Sequence, residues 1–142
     1  MSNKKILVIE DDADVRLGYH VLLKANEYDT CFAVDSLSAV TEARKHQPDL
    51  IILDLGLPGG DGFVVLDRFR THTSLFVIPV IVVSARDVKA NKERALKAGA
   101  KAFVQKPWND DELLSLIDQI LAESGKSAFG LAASAIPANL PA

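Results

Sequence analysis

Three apolar runs and one mixed run in this chain each stop at a polar residue. Ile6-Leu7-Val8-Ile9 meets Glu10-Asp11-Asp12, Leu50-Ile51-Ile52-Leu53 meets Asp54, Val80-Ile81-Val82-Val83 meets Ser84, and Ala102-Phe103-Val104-Gln105 meets Lys106-Pro107. A run with no polar alternation reads as a parallel strand buried on both faces. Parallel strands collect their carboxyl ends along one rim of the sheet, and α/β folds place their chemistry on that rim. The polar ends are therefore expected to form one site.

Helical patterns fill the gaps between these runs. Val15, Tyr19, Leu22 and Leu23 share a face from about Asp14 to Asn26. A shorter, less apolar strand near Asp29–Val34 reads as an edge strand. Ser36 is expected to cap a helix that turns Leu37, Val40 and Ala43 to the sheet and stops before Pro48. Phe63, Leu66 and Phe69 mark a third helix. Asp87 caps a fourth, over Val88–Ala98, which ends at Gly99. Asn109 and Glu112 form a capping box for a fifth, which buries Leu113, Leu116, Ile117 and Ile120. Five strands alternating with five helices predict an α/β, flavodoxin-like, doubly wound parallel sheet of order 2-1-3-4-5.

At 142 residues the chain reads as one domain, able to bury roughly 70% of its unfolded surface. Its net charge of −3 gives no reason to expect direct nucleic-acid binding. No run reaches membrane-spanning length and no signal sequence opens the chain, so a cytoplasmic location is the expectation. The one cysteine, Cys31, has no disulfide partner and reads as a buried structural thiol. His20, His46 and His72 lack ligand spacing.

The expected order places strand 1 beside strand 3 and brings Glu10, Asp11 and Asp54 together. Carboxylates so close repel one another, and a hard cation resolves the repulsion; Mg2+ suits carboxylates, a carbonyl and waters. Gly56 lets the loop turn its carbonyl toward the ion, and Lys106 adds a positive charge to the rim. This set makes a phosphoryl-transfer site. Asp54 is the nucleophile, Mg2+ and Lys106 neutralise the phosphoryl oxygens, and Ser84 donates a hydrogen bond.

From about Lys4 to Ala122 the chain resembles bacterial response-regulator receiver domains (CheY-like) of two-component signalling. The resemblance is carried by Glu10-Asp11, by Asp54 with Leu57-Pro58 and Asp61-Gly62, and by Ser84-Ala85, Phe103 and Lys106-Pro107. It implies that Asp54 is the phosphoacceptor, charged by a histidine kinase, a phosphotransfer protein or a small phosphodonor. It also implies that Ser84 and Phe103 are switch residues, that Lys106 binds the phosphate, and that a cis-proline bond follows it. On this reading the chain is a signalling switch and not an enzyme. It catalyses only its own phosphorylation and dephosphorylation.

Arg16 lies five residues after Asp11, as an arginine commonly does in such receivers. The metal pair is thereby read as Asp11, a direct ligand, with Glu10, acting through water. Asp12 is left to the helix start, and Asp11-Asp12 is the rival pair. A haloacid-dehalogenase-type hydrolase wants a second aspartate where Gly56 stands. A receiver-like module that is no longer phosphorylated would have lost the acceptor, an acid or the lysine, all of which are present. A flavodoxin-like nucleotide binder would not follow its first strand with Asp11-Asp12-Ala13-Asp14, which repels phosphate.

Residues 1–123 are the expected receiver domain, and 124–142 a flexible Ala/Ser/Pro tail or linker, with Ser124-Gly125-Lys126-Ser127 breaking the last helix. No output domain is expected. The chain either stands alone or is the receiver portion of a longer regulator or hybrid kinase. The charged fourth helix, Lys89–Lys97, suggests a homodimer through helix 4, strand 5 and helix 5, with Asp118 as its acidic counterpart.

Overall fold

The computed structural model describes residues 3–134, with side chains through Ser124. Strands and helices alternate along the chain as β1 (Lys5–Ile9), α1 (Ala13–Ala25), β2 (Asp29–Ala33), α2 (Ser36–His46) and β3 (Leu50–Leu53). They continue as α3 (Gly62–Thr71), β4 (Val80–Ser84), α4 (Val88–Lys97), β5 (Ala102–Gln105) and α5 (Asp110–Ser134). All neighbouring strands pair in parallel, in the order β2-β1-β3-β4-β5. The doubly wound topology expected from the alternation is the one observed.

Strand residues alternate between the two faces of the sheet. Leu7, Ile9, Ile51, Leu53 and Val82 point to the side covered by α2, α3 and α4, where Ala39, Phe63, Leu66, Phe69 and Ala95 meet them. Ile6, Val8, Leu50, Ile52, Ile81 and Val83 point to α1 and α5, against Tyr19, Leu23, Leu113, Ile117 and Ile120. Each such side chain contributes roughly 1.5–3 kcal/mol by leaving water. Burial on both faces explains why β1, β3 and β4 show no polar alternation.

Register sets the rim. Ile9 pairs with Leu53, so Glu10 and Asp54 are the next residues on adjacent strands, and the Asp54 amide donates to the Ile9 carbonyl at 3.1 Å. Ser84 pairs with Gln105, and the Lys106 amide donates to the Ser84 carbonyl at 2.8 Å.

Two local expectations are corrected. Asp35, not Ser36, caps α2, and its carboxylate accepts from the Ser38 amide. Starting there, the helix turns the small residues Ser36, Ala39 and Ala43 to the sheet, which lets it approach closely. Val40 is only partly buried and Leu37 is 71% exposed. Asp118, on the exposed side of α5, accepts a hydrogen bond from the Tyr28 hydroxyl at the α1–β2 corner. Finally, α5 does not break at Ser124-Gly125-Lys126-Ser127 but runs to Ser134. One interior glycine costs only about 1 kcal/mol, which a long helix absorbs. The rest of the expected tail, 135–142, lies outside the described residues.

Candidate functional site

Glu10, Asp11 and Asp54 each offer one carboxylate oxygen to a cluster whose members lie within 4.8 Å of one another. Glu10 is 2% exposed and Asp54 9%, whereas Asp11 faces solvent. Lys106 reaches in from the end of β5 and places Nζ 2.6 Å from Glu10 Oε1 and 3.7 Å from Asp54 Oδ2. Burial pushes the Glu10 carboxyl above the usual carboxylate range and the Asp54 charge adds to this, against the pull of Lys106 and the Asp12 amide. One ammonium thus answers two of the three carboxylates. Stripping it away would leave buried charge uncompensated, which is costly.

α1 fixes the acidic side of the cluster. Arg16 donates from Nη1 to the carbonyls of Glu10 at 2.9 Å and Asp11 at 2.8 Å, holding the turn that carries both carboxylates. Asp12 is spent elsewhere: its Oδ1 accepts from the Asp14 amide at 2.8 Å and the Val15 amide at 3.1 Å, capping α1. An N-cap carboxylate of this kind satisfies helix amides that would otherwise lack partners.

The loop after β3 carries Gly56, which is exposed two residues past Asp54. Its far end is tightly made. Asp61 caps α3 through the Phe63 amide at 2.9 Å. A β-carbon on Gly62 would stand 2.6 Å from Leu55 Cα and 2.7 Å from the Asp54 carbonyl oxygen, so glycine alone lets α3 start so close to the site. Ser36, 1% exposed, ties this loop to α2: its amide donates to Pro58 O at 3.1 Å and its hydroxyl to Gly60 O at 2.5 Å.

Ser84 is 1% exposed at the end of β4, and its Oγ accepts from the Arg86 amide at 3.1 Å. Arg86 then crosses to the β3–α3 loop, where Nη1 lies 3.0 Å from Asp61 Oδ2 and Nη2 donates to Leu55 O at 3.2 Å. Phe103 is half-buried on β5, against the α2–α3–α4 layer. The Lys106–Pro107 bond is cis, as the resemblance implied.

The structure therefore gathers Glu10, Asp11, Asp54 and Lys106 at one point. Ser84 stands at the same rim, two strands from Glu10, and Phe103 lies within β5. Sequence reasoning missed Arg86 and the loop-bracing role of Ser36. An arginine two residues past a strand end reads the same whether it meets solvent or a carboxylate 25 positions away. Trp108, just before α5, stacks on Tyr19 of α1.

The donor set tests the fit of a cation. Every available donor is a hard oxygen, two of the three carboxylates are buried, and the one ammonium leaves net negative charge. Hard divalent ions suit such a set. No helix among the described residues is long and apolar enough to cross a membrane.

A family model for the response regulator receiver domain matches residues 6–118. The chain is similar to the phosphate regulon transcriptional regulatory protein PhoB of Escherichia coli, 33% identical over 118 residues, which is 83% of this chain and 52% of that protein. It is also similar to the transcriptional regulatory protein KdpE of Staphylococcus aureus, 39% identical over 113 residues, covering 80% and 48%. It thus spans about half the length of these curated relatives. Among solved structures, a CheY-like receiver domain protein of Methanospirillum hungatei superposes with a TM-score of 0.82 at 25% identity, covering 89% of this chain and 99% of that one. The BeF3-activated receiver domain of RstA from Klebsiella pneumoniae gives 0.77 at 25%, covering 83% and 98%.

Proposed function

The chain belongs to the response regulator receiver domain family, whose function is phosphorylation-based signalling, and from that premise we propose that Asp54 is its phosphoacceptor. The observation that carries this reading is Lys106 Nζ lying between Glu10 and Asp54, with Asp11 completing the acidic cluster. The donors are a histidine kinase, a phosphotransfer protein or a small acyl phosphate.

An Asp54 oxygen attacks the donor's phosphorus, the bond from phosphorus to the leaving group breaks, and the leaving group departs with the electron pair. With acetyl phosphate the products are acetate and an aspartyl phosphate. Lys106 moves its charge from Glu10 toward the phosphoryl oxygens, and the Ser84 hydroxyl donates to one of them. Asp11, Glu10, Asp54 and the Gly56 carbonyl would hold Mg2+. The ion, when bound, would supply positive charge that offsets the repulsion among the carboxylates and the incoming phosphate. Phosphorylation repacks Ser84 and Phe103 and so alters the surface of α4, β5 and α5, where a partner protein or a second copy docks. The transcriptional roles in the relatives' names belong to those whole proteins.

Incubation with Mg2+ and acetyl phosphate should add one phosphoryl mass to the intact protein, and Asp54→Asn should abolish the shift. A shift retained in Asp54→Asn would overturn the assignment.

A further inference from the structure

Lys106 is long and flexible, so where its ammonium sits depends on what holds its backbone. On the strand side its amide donates to Ser84 O at 2.8 Å. On the helix side, Pro107 and Asn109 are exposed, and Trp108 is the side chain of this loop that turns back into the protein. Its ring stacks on Tyr19 of α1, with centroids 4.3 Å apart and planes 16° from parallel, and its Nε1 donates to Asp110 Oδ1 at 2.9 Å. Tyr19 is 1% exposed and cannot yield easily. Burial and then the charges of Glu10 and Asp54 push its phenol above the usual range, so it lies within the electrostatic reach of the site.

We propose that Trp108 is a positioning residue for Lys106: its stack on Tyr19 fixes the β5–α5 loop and so aims the lysine at Glu10 and Asp54. α1 is then the common reference for both halves of the site. Arg16 holds the carbonyls beneath the acidic pair, and Tyr19, three residues on, holds the loop that carries the lysine. This inference rests on the reading of Lys106 given above, and it assigns Trp108 no contact with phosphate or metal.

The test compares rates of phosphorylation by acetyl phosphate in the full chain. Trp108→Leu keeps apolar bulk but removes the stack, and should slow the reaction roughly ten- to hundredfold, the scale of a misplaced reacting group. Trp108→Phe keeps a ring for Tyr19 and should restore most of the rate. Mg2+ affinity, which depends on the carboxylates, should be unchanged in both. In a Lys106→Ala background, Trp108→Leu should cause no further loss, because both changes remove the same interaction. An equal additional loss in that background, a fall in Mg2+ affinity, or a wild-type rate in Trp108→Leu would overturn the proposal. A wild-type rate in Lys106→Ala alone would instead overturn the reading of the lysine.

Discussion

Asp11 and Asp12 are neighbours in the chain but do different work. Asp12 accepts two amides at the start of α1, while Asp11 joins Glu10 and Asp54. Losing an N-cap acid costs about 0.5–2 kcal/mol whether or not an ion is present. Losing a metal ligand costs nothing until the ion is added, because ligand binding stabilises only the state that binds it. Thermal unfolding with and without Mg2+ should therefore separate the two. Asp12→Ala should lower the baseline melting temperature and keep the Mg2+-induced rise. Asp11→Ala should leave the baseline near that of the wild type and lose most of the rise. Equal rises in the two variants would show that the wrong carboxylates have been paired. At this scale the sequence was most legible where a residue ends a strand: Glu10, Asp54 and Ser84 close buried strands and Lys106 closes the edge strand β5. It was least legible at Leu37 and Arg86, whose surroundings depend on the rotation of a helix and the path of a loop.

Among the helices, α4 is held least by apolar burial: Ala95 is its one buried residue, against five in α3. Arginines make up part of the difference. Arg94 lies 3.8 Å over the ring of Phe63 in the first turn of α3, and Arg86, just before α4, pairs with the α3 cap Asp61. Cation–π contacts and exposed ion pairs contribute on the order of 1 kcal/mol or less each at the surface. Local opening should therefore be easier in α4 than in α3, and its amides should exchange faster. Addition of Mg2+ and beryllofluoride should then change exchange across Val88–Lys97 and Ala102–Gln105 as well as in the loops at Asp54. Changes confined to those loops would remove α4 and β5 from the output surface. The weak attachment of α4 was only half visible beforehand. Its charge was plain in the sequence, but its tie to the first turn of α3 was not.

Across the whole molecule the topology follows from the sequence because alternation, short connections and handedness leave few arrangements open. The end of α5 does not, because a glycine and two serines mark a helix boundary only where no packing or length overrides them. At 25 residues α5 is about 37 Å long, and Leu113, Ile117 and Ile120, within its first three turns, anchor it in the core. Stability should therefore reside upstream of the extension. Truncation after Glu123 should shift the melting temperature by less than about 4 °C, the change that ~1 kcal/mol produces in a domain of this size. A larger fall would make the extension part of the fold.

The order β2-β1-β3-β4-β5 also bears on synthesis at the ribosome. Glu10 and Asp11 emerge early, Asp54 midway, and Lys106 only after β5, the edge strand that must still find β4. Until that last strand is released and docked, the growing chain holds mutually repelling carboxylates without their ammonium. On the reading of Lys106 proposed above, a nascent or prematurely terminated product lacking β5 should not be charged by a phosphodonor and so should not compete with the finished protein.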